Sequence, residues 1–423
     1  MELVGLVPLI PFLMNGWLVT EPLFLLHLLP GRVNFNANNP HEPKRILPLL
    51  RPKHYQSLAI AFLAAFGTLV HAQTAPNLPG TISSVALSSG VTLAIPGGVA
   101  VDQQSNLYIS DTDNHRILKV TPAGVTTVYA GTGTGTVQGQ PNGDGGAAAS
   151  ATLNFPQGIA VAANGDLYIT EPGTPNGNNG DVRKVTAASG IITTVASGLN
   201  QPFSATYDDA DNALYIAVYG TPAIAKVSGG TLNASWFTNG LLHPSTVAYA
   251  NGYVYVVDTT AGVVEKVNTS SQATTTVATG LSKPWGVALD PAGDVYVSLY
   301  GQSPSVGGSV LMINPATGGS TPVAGSGGFG YTGDGGSAIA ATLKDSVTGV
   351  AIAPDGSLYI DDGTNNAVRK VSFPASTTGP PVNNIPGCTV ISFSAGPNPI
   401  YTEGTYGITS ILANVTCPYE VMP

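Results

Sequence analysis

The residues of this chain that could do chemistry are aromatic rather than acid–base. Beyond residue 72 there are only two histidines, His115 and His243, too few for a three-histidine zinc site. The glutamates of the same stretch, Glu171, Glu265, Glu403 and Glu420, have no histidine two residues on, and no G-x-S-x-G turn presents a nucleophile. Two large aromatics stand out instead. Phe203 and Trp285 occupy, in two copies of an internal repeat, a position held elsewhere by Gly97, Gln157, Ser245 and Thr348. Together with Gln157, Tyr219, Tyr300 and His115 they make a candidate shallow site. Aromatic faces beside a few convergent polar groups suit a peptide or a sugar ring. The competing role for both rings is to fill the rim of a central channel.

The elements that must position these residues repeat six times. Apolar-Tyr-apolar recurs at Leu107-Tyr108-Ile109, Leu167-Tyr168-Ile169, Leu214-Tyr215-Ile216, Val254-Tyr255-Val256, Val295-Tyr296-Val297 and Leu358-Tyr359-Ile360. A segment of the type PGGVAVD (96–102) precedes each copy, and one of the type RILKV (116–120) follows. Five copies add a Thr/Val-rich fourth segment such as ITTVASG (192–198), and the sixth lacks one. Four short strands per unit of about 40 residues, punctuated by Gly, Asn and Asp, specify a propeller blade. The expectation is an all-β, six-bladed β-propeller over 81–372. The segment at 81–90, TISSVALSSG, would supply the missing strand and close the ring, leaving no open sheet edge.

On that plan the loops joining strands two and three, and those joining strand four to the next blade, leave on one face. The longest stretches (131–155, 325–346, 170–180 and 299–308) are expected there and mark it as the binding face. The ends of strand two supply Asp111, Glu171, Tyr219, Asp258, Tyr300 and Asp361, whose acids are expected to cap turns or pair with Arg116, Arg183 or Arg369. Lys119, Lys184, Lys226, Lys266 and Lys370 recur at one repeat position and read as architecture. Asp144 and Asp334, each in a Gly-Asp-Gly-Gly segment, are weak candidates for calcium. Without D-x-D-x-D spacing, those segments read better as turns leading into a short Ala-rich helix.

The unit P-x-G-V-A-V-D…L-Y-I-x-D…N-x-R-I-x-K-V resembles the NHL repeat, with Asn114-His115 at that family's eponymous pair. The segments from Gly143 to Leu153 and from Gly333 to Leu343 are similar to the GDGG-x-A…A-x-L stretches of bacterial NHL proteins. The resemblance implies a six-bladed propeller used mainly as a binding platform for a protein, peptide or carbohydrate, with no cofactor. Related propellers include a zinc-dependent amidating lyase, streptogramin lyases and sugar lactonases. A metal-dependent lyase or lactonase is therefore the alternative function, and a set built loosely from Glu171, Asp258, Asp361 and the asparagines 176, 178 and 179 would have to hold its metal.

The rest of the chain concerns address and attachment. Residues 58–70, LAIAFLAAFGTLV, follow Lys44, Arg45, Arg51 and Lys53 and precede Val70-His71-Ala72, the pattern of a signal peptide cut after Ala72. Thirteen helical residues rise about 20 Å, short of the roughly 30 Å of a bilayer core. Residues 1–72 are thus expected to be a leader, giving a secreted, periplasmic or cell-surface protein with no stable membrane span. Leu3–Leu29 is broken by Pro8, Pro11, Gly16, Glu21 and Pro22 and reads as an extension upstream of the signal peptide. Five of the 15 basic residues but only three of the 24 acids lie in the leader, so the formal charge sharpens from −9 to −11 without it. That sign disfavours nucleic acid as a partner. Residues 373–386 read as a linker, and 387–423 as a short β segment resembling the start of an Ig-like sandwich, with Cys388 and Cys417 a candidate disulfide.

Overall fold

The computed structural model describes residues 13–14, 17–18, 80–135, 142–173, 179–302, 304–374, 389–395 and 411–416. The chain divides into two units, 1–66 and 67–423. In the first, Leu13–Met14 pairs antiparallel with Trp17–Leu18. The expected signal peptide, the 373–386 linker beyond Pro374, and both cysteines lie outside the described residues.

Six four-stranded antiparallel sheets make up the propeller, five of them formed in chain order from the inner strand outward. The inner strands are Pro96–Val101, Ile159–Val161, Pro202–Asp208, Pro244–Ala250, Pro284–Leu289 and Val350–Ile352, in blades 1 to 6. The outer strand of blade 6 is Thr81–Ser84, which pairs with Ala367–Ser372 in the register Val371 opposite Ile82. The ring is closed as expected by an N-terminal strand, so the first and last parts of the propeller share one sheet. A separate pair, Thr389–Ala395 with Ile411–Thr416, forms the C-terminal β segment.

The core lies between blades rather than in one centre. Leu, Tyr and Ile of the second strands are buried on both faces because each blade packs against two neighbours. Across each of five blades a second-strand tyrosine stands opposite a third-strand lysine, as in Tyr108 with Lys119 and Tyr215 with Lys226. The ammonium groups sit 5.3 and 5.1 Å from those two ring centroids, which accounts for the lysine recurrence.

The strand register defines the two faces. Pro96 stands opposite Asp111, Asp111 opposite Arg116, and Ile117 opposite Ala130. Loops two-to-three and four-to-one therefore leave on the same side, as expected. The Gly-Asp-Gly-Gly segments themselves, however, run to the periphery. The Gly145 N–H donates to the Ile192 carbonyl and the Gly131 N–H to the Ala148 carbonyl, so the insertion bridges the outer strands of blades 1 and 2 at the periphery. Gly335 to Ile82 and Gly325 to Ala338 repeat the arrangement between blades 5 and 6. Ala148, Ala151 and Leu153 are buried in the core between blades 1 and 2, as are Ala338, Ala341 and Leu343 between blades 5 and 6. Loop length alone pointed to a binding face; the apolar residues spaced within these loops show wedges that fill a crevice.

Candidate functional site

Inner strands approach the propeller axis with almost no side chain at their second mouth position. A Cβ on Gly98 would lie 2.4 Å from the Gln157 carbonyl oxygen, and one on Gly286 the same distance from that of Thr348. Glycine is required at both by close backbone approach. This leaves a shallow mouth of about 490 Å³, open solvent included, whose rim carries Gly97, Gln157, Phe203, Trp285 and Thr348.

The rim is divided. On blades 3 to 5 it is an aromatic wall. Phe203 and Tyr219 meet edge to face with centroids 5.0 Å apart, Trp285 lies 5.8 Å from Phe203 and 5.9 Å from Tyr219, and Tyr300 lies 5.7 Å from Trp285. All four rings are half-buried. His243, absent from the sequence-based set, extends the wall: its ring is 4.7 Å from that of Tyr219, and its Nδ1 is 2.9 Å from Thr260 Oγ1. Its place before the strand-one Pro244 was the available signal. Between the two aromatic blades Ser245 is fully buried and donates to the Trp285 carbonyl at 2.7 Å. On blades 6, 1 and 2 the rim is Thr348, Gly97 and Gln157, polar or bare.

Phe203 and Trp285 each have a companion. In four blades the second strand ends in an acid that accepts backbone N–H groups of the incoming loop: Asp111 from Ala94, Glu171 from Asn154, Asp258 from Leu242 and His243, and Asp362 from Lys344. Blades 3 and 5 have Val218 and Leu299 there, and a tyrosine follows, Tyr219 or Tyr300. The same two blades carry Phe203 and Trp285. Two positions have thus changed together, twice, on either side of blade 4.

His115 does not join the wall. It sits on the loop of blade 1, its ring 4.4 Å from that of Phe155, and its Nδ1 accepts the Phe155 N–H at 3.2 Å. Asn366 does the same for Ile95 at 2.9 Å. Ile95 and Phe155 both precede a proline with positive φ, 44° and 46°, so these acceptors hold strained backbone in place.

The register also reassigns one acid. Asp362, not Asp361, matches Asp111 and Glu171; Asp361 stands where Ser110, Thr170 and Ser298 stand in other blades. Asp361 is wholly buried behind the rim, accepting the Thr348 N–H at 2.6 Å and its hydroxyl at 2.7 Å, and burial pushes its carboxyl up to about 7. The end-of-strand acids do pair with the third-strand arginines: Arg116 with Asp111 at 2.7 Å, Arg183 with Glu171 at 3.4 Å and Arg369 with Asp362 at 3.5 Å.

Asp144 and Asp334 are occupied from within the chain. Asp144 accepts from Arg183 and from the Thr194 N–H, and Asp334 from Arg369 and the Ser84 hydroxyl. Among the described residues no three His, Cys, Asp or Glu side chains gather as metal ligands, and no helix is long and apolar enough to cross a membrane.

A closed ring of six antiparallel blades around a glycine-lined channel is a six-bladed β-propeller. Within its first blade, residues 93–120 match the NHL repeat family, so this six-bladed propeller contains an NHL-type repeat. Solved structures agree on the fold. A protein of unknown function from Bacteroides thetaiotaomicron is similar at 13% identity and a TM-score of 0.55, covering 69% of this chain and 76% of that one. An auxiliary nutrient binding protein from Bacteroides ovatus is similar at 14% identity and a TM-score of 0.51, covering 70% and 76%. At these identities the likeness shows the fold alone.

Proposed function

We propose that this protein is an exported binding platform whose ligand, a protein, peptide or carbohydrate, seats on the aromatic half of the channel mouth. The concerted appearance of Phe203 with Tyr219 and Trp285 with Tyr300 carries this reading. Rim-filling alone needs no partner tyrosine, and four half-buried rings in mutual contact leave apolar area open to a ligand. The basic flank, short apolar run and small-residue exit at 58–72 support export.

The test is the double variant Phe203→Ala/Trp285→Ala, profiled beside the unaltered protein on glycan and peptide arrays. Loss of array binding with an unchanged far-UV spectrum is the expected result. Binding that survives the double substitution would place the ligand elsewhere on the propeller.

A further inference from the structure

Resting on that reading of the mouth, we propose that the ligand is an uncharged saccharide. One pyranose-sized ring lies with its apolar face on the Phe203–Trp285 wall and its hydroxyls on Thr348 and Gln157.

Charge narrows the ligand class first. Among the described residues no Asp, Glu, Lys or Arg lines the bowl, whose polar side chains are Gln157, Ser204, Thr246 and Thr348 besides the indole of Trp285; His243 stands outside it, at the far side of Tyr219. An ionic group entering there would be desolvated with no counter-charge on the wall, which is costly.

Hydrogen-bond direction narrows it further. A threonine hydroxyl has one proton and two lone pairs. That of Thr348 gives its proton to Asp361 Oδ2 at 2.7 Å, with the Gly97 carbonyl a second acceptor at 3.2 Å. Towards the mouth Thr348 therefore offers acceptor capacity, and the ligand must bring donors. A carboxylate or phosphate would meet an acceptor at Thr348 with the buried Asp361 behind it. The Gln157 carboxamide and the Trp285 indole N–H have no partner among the described residues, which leaves donors and one more acceptor for the ligand's remaining oxygens.

Shape is the third constraint. Six inner strands encircle the mouth, so it is a bowl rather than a trough, and a bowl holds one ring more readily than an extended peptide, which needs a groove open at both ends. A pyranose matches this division: one face of C–H bonds for the aromatic wall, and a periphery of hydroxyl donors for the opposite side.

The experiment uses the propeller-containing chain at pH 8 and titrates methyl glycosides of glucose, galactose and mannose, followed by tryptophan emission and calorimetry. Glucuronic acid serves as the anionic version of the same ring, and a proline-rich peptide as the non-sugar probe. At least one neutral glycoside is expected to bind, its anionic counterpart at least tenfold more weakly, and Thr348→Val to weaken the neutral one about five- to tenfold with the far-UV spectrum of the unaltered protein retained. Gln157→Ala gives a second, independent loss. Equal or tighter binding of the uronic acid would overturn the proposal. So would peptide binding with no neutral glycoside bound, but if Phe203→Ala/Trp285→Ala abolished that peptide binding, the mouth would remain the site. Neutral-glycoside binding that survives the double aromatic variant would sink the mouth reading as well.

Discussion

Asp144 and Arg183, 39 residues apart, meet at 2.5 Å, and the arginine has no exposed surface. Asp334 and Arg369 repeat the contact at 2.6 Å. The matching third-strand position is Leu118, Ala225, Glu265 and Leu311 in the other blades. Arginine thus occurs at this position only in the two blades that follow a Gly-Asp-Gly-Gly insertion. The Nε–H of both arginines lacks an acceptor, so their burial depends on the Nη contacts to two acids and to loop carbonyls. The insertion is a wedge with an ionic latch: its Ala and Leu fill the crevice, and its Asp locks it to the blade behind.

Asp144→Asn is expected to lower stability by about 1–3 kcal/mol, because it leaves a buried guanidinium with Glu171 as its remaining carboxylate. Arg183→Leu installs the residue of blades 1 and 5 and should also destabilise, since Glu171 loses its cation. The double variant should cost less than the two singles combined by about 1 kcal/mol or more, read from urea melts. Additive costs would show that the latch carries no coupling.

Much of this was legible in the sequence. The apolar-Tyr-apolar triplets set strand spacing, and the missing sixth fourth-strand together with TISSVALSSG predicted the closure. The aromatic wall was legible because repeats supply an internal comparison: Phe203 and Trp285 are anomalies only against Gly97 or Ser245. Three features were not legible. His115 and His243 are alike in type, and apart from the place of His243 before Pro244 only the paths of two different loops separate them. Asp361 and Asp362 are adjacent, and strand register, invisible in sequence, decides which faces the loop and which the channel wall. The insertions' peripheral course depends on their hydrogen bonds to outer strands, which loop length does not encode.

Stability should fall as pH rises from about 5 to 8. Burial pushes Glu171 up to about 7 against Arg183 and the Asn154 N–H, and it lifts Asp361 to about 7 despite its bonds to Gly349 and Thr348. Their ordinary values are 4.5 and 3.8, so between there and 7 the folded chain holds more protons than the unfolded one. The stability they contribute is fully present below those ordinary values and lost as pH climbs through 7. For Asp144 burial is outweighed by Thr194 and Arg183, and for Asp334 by Ser84 and Arg369. Both carboxyls sit below 3.8, and their contribution is lost as pH falls through that range. Melting temperature across pH 5 to 8 at constant ionic strength should slope downward, and Glu171→Gln with Asp361→Asn should flatten it. An upward slope would assign the titration to other groups.

Closure of the ring rests on Ile82, fully buried among Leu343, Val350, Leu358 and Val371. Ile82→Ala is expected to cost about 2–5 kcal/mol, or roughly 5–15 °C in a domain of this size. Removing Thr81–Gly90 bares the edge of Ala367–Ser372 and should lower the melting point further and promote association, measured by calorimetry and light scattering. A deletion variant that melts as the full chain does would refute closure by this strand.

Gly286→Ala tests the backbone contacts that shape the mouth. A Cβ there would lie 2.4 Å from the Thr348 carbonyl oxygen and 2.8 Å from Ser298 Oγ, whose oxygen already accepts the Gly286 N–H at 2.8 Å. The carbonyl is backbone and cannot swing aside, so the inner strands of blades 5 and 6 must part, carrying Trp285 and Thr348 with them. A loss of about 1–3 kcal/mol is expected, typical of overpacking. Ala in place of Gly293, where no atom lies within 4 Å of an added Cβ but φ is +89°, isolates the cost of backbone strain alone. Gly286→Ala should also shift the emission of Trp285 while Gly293→Ala leaves it unchanged. If both variants lose the same stability and neither moves the emission, the inner strands do not depend on that close approach.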